Sequence, residues 1–135
     1  MSLTEEERIN IVKFRLDKAK DTFTDFLIMV ENQRYNSAAN RLYYVCFYAV
    51  TALLINDGHE AHTHKGVKKL LNWHYIKENK IEESFGKMYE RLFNMRQKGD
   101  YEDWFVIEEQ NIIQHVEPVK NFIAVIEHLI YNHND

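Results

Sequence analysis

Cysteine, proline and glycine are scarce in this 135-residue chain, which has one cysteine, one proline and four glycines. A single cysteine excludes an intrachain disulfide, and the few prolines and glycines leave few interruptions, so long helices are expected. No apolar run approaches ~20 residues without a charge, which argues against a membrane span. The acidic first residues lack an apolar stretch, so we expect no signal peptide. The sequence predicts one cytoplasmic domain over residues 1–135.

Acidic and basic residues are unevenly distributed along the chain, whose net charge is −4. Residues 61–99 carry nine lysines and arginines against four acidic residues, whereas residues 100–135 carry one against eight. The basic middle third could therefore bind an anion, whereas the acidic C-terminal third could not. This pattern favours a local anion site over nucleic-acid binding by the whole surface.

Apolar residues recur at spacings of three and four in four long segments, as they do on the buried face of a helix. The second segment is apolar nearly all round, which is typical of the central helix of a bundle. Together with one short segment they predict an all-α, up-down bundle of four long helices plus one short helix. The predicted helices cover residues 4–32, 37–56, 64–74, 81–98 and 107–132.

Side chains at the predicted helix ends fit this division. Thr4, followed by a glutamate three residues later, predicts a capping box for the first helix. Asn36 or Ser37 is the expected cap of the second helix, and Thr63 of the short third helix. Pro118 lies inside the last apolar pattern, so we expect it to kink that helix or loosen one turn.

The end of the fourth predicted helix gathers several polar side chains. Gly99 is placed where a residue of positive φ would end the helix, so Arg96, Asp100 and Tyr101 are expected together at that end. A guanidinium offers a fixed fork of donors that suits phosphate or carboxylate. Asp100 and Tyr101 could orient it or handle protons. The competing interpretation is a capped helix in which Arg96 pairs with Asp100.

The second predicted helix carries a second set of polar side chains, because Arg41, Tyr44 and Tyr48 share one face of an otherwise apolar helix. An arginine there must be paired, solvated at a rim or directed at a partner subunit. Tyrosines with one polar end suit interfaces and pocket walls. The alternative is a core helix whose polar tips reach outward to solvent.

His64 and Lys65 begin the short helix, and two further lysines follow one turn later. Helix N-termini attract anions, and the lysines reinforce that attraction, so this segment is a candidate auxiliary anion site. A plain Thr63-capped helix with solvated lysines is the alternative.

Histidines are concentrated in residues 59–64, where three of them and a glutamate fall within six positions. Their spacing matches no zinc signature, and no cysteine lies among them. The chain also lacks the Glu-x-x-His pairs that di-iron bundles need. We therefore predict no metal site and no cofactor.

Three segments taken together, residues 38–49, 62–67 and 92–101, resemble one family. They are similar to the HEPN domain (higher eukaryotes and prokaryotes nucleotide-binding), in its small stand-alone prokaryotic branch, over residues 36–130. The resemblance implies a bundle of four or five helices that pairs as a homodimer. It also implies a partner, because such proteins are often encoded beside a minimal nucleotidyltransferase, and several pairs act as toxin and antitoxin.

The resemblance carries a catalytic motif with one departure. In ribonuclease members, an arginine, four to six arbitrary residues and a histidine form the active motif. Arg96 matches that arginine, but Tyr101, Glu102 and Asp103 stand where the histidine would fall. The resemblance thus implies a non-catalytic or degenerate module that binds a nucleotide or RNA phosphate. The residues expected to bind it are Arg96, Asp100, Tyr101, His64, Lys65, Arg41 and Tyr44.

Two alternatives stay open at the level of sequence. A metal-independent ribonuclease could use Arg96 with Tyr101 or His64 in place of the missing base, and it would cleave RNA in EDTA. A pure protein-interaction bundle would use its faces to assemble with a partner chain and would have no nucleotide affinity.

Overall fold

The computed structural model describes residues 3–102 and 104–132, so Asp103 lies outside the described residues. Within these ranges the chain forms helices and no strand, which confirms the predicted all-α bundle. A π-helical turn, Asn72–Ile76, continues the third helix. The α-helices are α1 (Glu5–Glu31), α2 (Tyr35–Asn56), α3 (His64–Leu71), α4 (Glu83–Tyr101), α5 (Glu109–Ile113) and α6 (Val116–Tyr131).

Helix α2 is the centre of the bundle and contacts α1, α3, α4, α5 and α6. It is buried on most sides, because apolar residues cover most of its circumference. By length and composition alone it is the one helix of the described residues that could cross a membrane. However, 67% of the relevant stretch is buried inside the bundle, and the core helix of a bundle passes the same test. The length and apolar composition of α2 are therefore accounted for by its place as the central helix of the bundle.

The predicted caps of α1 and α3 are confirmed. The Thr4 hydroxyl accepts the Glu7 N–H at 3.1 Å, and the Glu7 carboxylate accepts the Thr4 N–H at 2.9 Å. Thr63 likewise accepts the Gly66 N–H at 2.9 Å. These bonds satisfy donors that the first helical turn leaves free.

The predicted cap of α2 is wrong, because the helix begins at Tyr35 and has no side-chain cap. Asn36 instead lies inside the helix and reaches the chain beyond α4. Its side-chain amide donates to the Phe105 carbonyl and accepts the Ile107 N–H, both at 3.0 Å. This pair of bonds holds the α4–α5 connection against the start of α2.

Gly99 does not end α4 as predicted, since the helix continues through Tyr101. The role of Gly99 is close packing rather than positive φ. A Cβ atom at this position would lie 3.1 Å from Ile107 Cδ1. The glycine therefore lets the chain after α4 fold back tightly onto the helix.

The predicted last helix is divided into α5 and α6, so the single helix over 107–132 is wrong. The division falls at Gln114 and His115, four and three residues before Pro118. Proline lacks an N–H, and its ring clashes with the carbonyl four residues earlier in a continuous helix. Pro118 lies in the first turn of α6, where no N–H is needed, so the expected loosening of one turn is confirmed.

Candidate anion-binding site

Arg96 is enclosed by aromatic rings although it lies near the end of α4. Its residue is only 7% exposed. The guanidinium carbon lies 4.9 Å from the centroid of the Tyr43 ring, 5.8 Å from Tyr44 and 5.9 Å from Phe93. Ring faces carry negative partial charge, so this enclosure stabilises a cation by contacts that use none of its hydrogen-bond donors.

The donors of Arg96 are poorly occupied. Among the described residues, its one ion pair joins Nη1 to Asp100 Oδ2 at 3.8 Å, beyond hydrogen-bond distance. Nε is buried and has no hydrogen-bond partner among the described residues. Buried polar groups in native proteins are almost always bonded, and an unpaired buried charge is costly. The guanidinium therefore has a buried donor for which the described residues supply no acceptor.

A second guanidinium lies close to the first. Arg41 donates to Asn40 Oδ1 from Nε at 3.1 Å and from Nη2 at 2.8 Å. Asn40 in turn donates to Asp100 Oδ2 at 3.0 Å. The Arg41 guanidinium carbon lies 5.2 Å from the Tyr44 ring, which Arg96 also contacts. The guanidinium groups of Arg41 and Arg96 therefore both contact the Tyr44 ring. Both are also linked to the Asp100 carboxylate, Arg96 directly and Arg41 through Asn40.

His64 adds a neutral imidazole to the same group. Its Nδ1 lies 2.8 Å from the Tyr43 hydroxyl, and its Nε2 lies 3.5 Å from the Tyr44 hydroxyl. Burial first, and the charge of Arg96 second, lower the pKa of His64 below its ordinary value of 6.5. Burial also raises the pKa of Tyr43 to about 12. Near neutral pH the site thus holds an uncharged imidazole bonded to a protonated phenol.

The structure brings together five of the seven predicted binding residues, namely Arg96, Asp100, His64, Arg41 and Tyr44. Tyr101 is 75% exposed and makes no contact with Arg96 in the part of the chain that the structure describes. Lys65 is exposed on the first turn of α3, outside the cluster. Two members of the cluster were not predicted from the sequence, Asn40 and Tyr43. The sequence did not single out Tyr43 because this residue lies inside an apolar run.

The histidine-rich loop lines a cavity. The His59 ring stacks on His74, with centroids 4.0 Å apart and planes 12° apart. Among the described residues, no group of three histidine, cysteine or acidic side chains is arranged to hold a metal ion. His59, His62 and His64 all line, with Arg15, a cavity of about 250 Å³.

Comparison with known proteins identifies the family. The model of the HEPN domain matches residues 12–129, which include every member of the cluster. This chain belongs to the HEPN family. The resemblance carried by residues 38–49, 62–67 and 92–101 is thereby confirmed.

Relatives of this HEPN chain include proteins named as toxin candidates. The UPF0332 protein of Thermotoga maritima is 34% identical over 92% of the chain and 94% of its own length. A candidate toxin of Methanocaldococcus jannaschii is 31% identical over 64% of each protein. A second one from the same organism is 27% identical over 70% of the chain and 65% of its own length. The chain is thus a HEPN module with toxin-like relatives.

The charge of Arg96 should be visible in the titration of His64. We expect NMR titration to give His64 a pKa below 6.5 and the Arg96→Gln variant to raise it, because one of the two causes of the shift is removed. Because folding lowers the pKa of His64, its contribution to the free energy of unfolding is fully present above the pKa that it has in the unfolded chain. That contribution is lost as pH falls through the folded value.

His115 provides the matched control for this titration. Burial and then Arg91 lower its pKa, so Arg91→Gln should raise the pKa of His115 and leave that of His64 unchanged. A His64 pKa that is the same in the parent and in Arg96→Gln would contradict the described arrangement.

Proposed function

We propose that this HEPN protein binds the phosphate group of a nucleotide or of RNA at the cluster of Arg96, Arg41 and His64. The observation that carries the proposal is the state of Arg96, which is buried with a 3.8 Å ion pair and whose Nε has no hydrogen-bond partner in the ranges that the structure describes. A phosphate would supply the acceptor oxygens that the protein does not, and charge-assisted bonds to phosphate are the strong ones. This function requires no proton transfer.

Two cavities adjoin neighbours of Arg96, although Arg96 itself lines neither. One, of about 310 Å³, is lined by Asn40, Arg41 and Asp100. The other, of about 250 Å³, is lined by His64. In our proposal Asn40 and Asp100 hold Arg41 in place, and the phosphate takes the position beside Arg96 for which Asp100 is too distant. The remaining parts of the ligand would occupy the cavities.

The proposed biological setting is a cytoplasmic, toxin-antitoxin-like pair. In this setting the HEPN chain forms a homodimer, and its partner is a minimal nucleotidyltransferase. The names of the two Methanocaldococcus jannaschii relatives support the toxin side of this proposal. The partner would act on, or cover, the phosphate-binding cluster.

Arg96→Gln tests the proposed phosphate site directly. The variant removes a charged donor set, and such bonds contribute about 1.5–3 kcal/mol, so AMP affinity should fall by roughly 10- to 150-fold. Isothermal titration calorimetry gives the affinity, and a thermal melt checks that the fold survives. Arg91→Gln, which makes the same charge change at an exposed position of α4, should bind AMP like the parent. Equal losses in both variants, or none in either, would refute the site.

A second candidate function is favoured by the position of His64. An arginine and a histidine are the two groups of the motif that ribonuclease members of the family use for metal-independent RNA cleavage. Here Arg96 would be that arginine, and His64 of α3 would replace the histidine that the motif position lacks. The Tyr43 hydroxyl would orient the ring. Tyr101 is a poorer substitute base in this scheme because it is exposed and away from Arg96.

Incubation with a mixed small-RNA pool in EDTA separates the two candidates. If the chain only binds phosphate, the RNA stays intact on a denaturing gel. If it is a ribonuclease, the parent cleaves RNA, His64→Gln and Arg96→Gln do not, and Tyr101→Phe retains the activity. Cleavage lost only in Tyr101→Phe would contradict the role given to His64.

A further inference from the structure

Trp73 is an exposed aromatic residue with basic side chains near it in the chain. It lies in the π-helical turn and is 51% exposed. The Lys69 ammonium lies 4.4 Å from the centroid of its ring. Lys65, Lys77 and Lys80 are exposed on the same helix and the turn that follows it.

The turn that carries Trp73 is anchored from its inner side. The Lys77 N–H donates to the Asn72 carbonyl at 2.9 Å and closes the wide turn. Tyr75 is buried, and its hydroxyl donates to Asp57 at 2.5 Å. The backbone of the turn is therefore fixed, and the indole is presented outward at low entropic cost.

Contacts between cations and rings connect this region to the phosphate-binding cluster. The Lys68 ammonium lies 4.6 Å from the Phe93 ring, and the Arg96 guanidinium lies 5.9 Å from the same ring. Glu90 pairs with Lys68 at 3.6 Å and offsets part of its charge. Lys69, Lys68 and Arg96 carry three positive charges along this line of contacts, against the two carboxylates of Glu90 and Asp100, so its net charge is positive.

We propose that the α3 surface, defined as Lys65, Lys68, Lys69 and Trp73, binds single-stranded nucleic acid and leads it to Arg96. The inference rests on the proposed phosphate site and extends it from a nucleotide to a strand. Trp73 stacks on an unpaired base, and the lysines contact the backbone phosphates. Helix α3 has eight residues, so it spans about 12 Å, enough for a short run of nucleotides between Trp73 and the cluster.

The chain has two tryptophans, and the other one provides a matched control. Trp104 is 80% exposed but stands among acidic residues, which repel a nucleic-acid backbone. Octauridylate RNA or its DNA counterpart is titrated into two variants, each with one remaining tryptophan. Fluorescence of Trp73 in Trp104→Phe should be quenched on binding, and fluorescence of Trp104 in Trp73→Phe should stay unchanged.

Affinity provides the second readout. Loss of one base–aromatic stack costs about 1–3 kcal/mol, so Trp73→Ala should raise the Kd for the octamer by roughly 5- to 150-fold. Trp104→Ala should leave the Kd unaltered. The RNA and DNA arms identify which strand is preferred, and Trp73-dependent binding of either supports the proposal. Absence of octamer binding, or binding without Trp73 quenching, overturns it.

The outcome for the α3 surface can be distinguished from that for the phosphate site. If AMP binding depends on Arg96 but the octamer Kd is the same in Trp73→Ala and the parent, the α3 surface is refuted and the phosphate site stands. If octamer binding depends on Trp73 and AMP binding is unaffected by Arg96→Gln, the α3 surface stands as a strand-binding site and the phosphate site is refuted.

Discussion

The candidate site depends on the enclosure of the Arg96 guanidinium by the rings of Tyr43, Tyr44 and Phe93. Aromatic faces hold the cation in place without using its N–H groups. Because the nearest carboxylate oxygen in the described part of the chain is 3.8 Å away, the described residues leave Nε of this cation without an acceptor. Burying an arginine without a close anion lowers the free energy of unfolding, and a bound anion would offset that cost. The functional proposals follow from this cost.

Burial first, and the charge of Arg96 second, lower the pKa of His64. An imidazole that favours its uncharged form therefore lies beside a permanent cation. The Tyr43 hydroxyl contacts that imidazole and its ring contacts the guanidinium, so one side chain links both groups. The same arrangement suits phosphate binding and, if His64 replaces the absent motif histidine, phosphodiester cleavage.

Helical periodicity was enough to predict the bundle and three of its long helices, because burial of one helix face repeats along the sequence, but it did not reveal the division of the last one into α5 and α6. Gly99 was misinterpreted because its packing against Ile107 is a tertiary contact that no local pattern reveals. The link from Asn40 to Asp100 joins positions 60 residues apart and was equally hidden. Arg96 itself was predictable from residue type and position. Its burial was not, because an arginine near a helix end is usually solvated.

Arginine side-chain NMR tests the central claim most directly, because the Nε–H of Arg96 gives its own signal and is buried. Titration of ¹⁵N-labelled protein with AMP should shift that signal to saturation, as the phosphate supplies the missing acceptor, while the Nε–H signal of Arg91 stays in place. An unmoved Arg96 signal, with other residues responding to AMP, would show that the nucleotide binds elsewhere. The role proposed for the enclosed guanidinium would then be wrong.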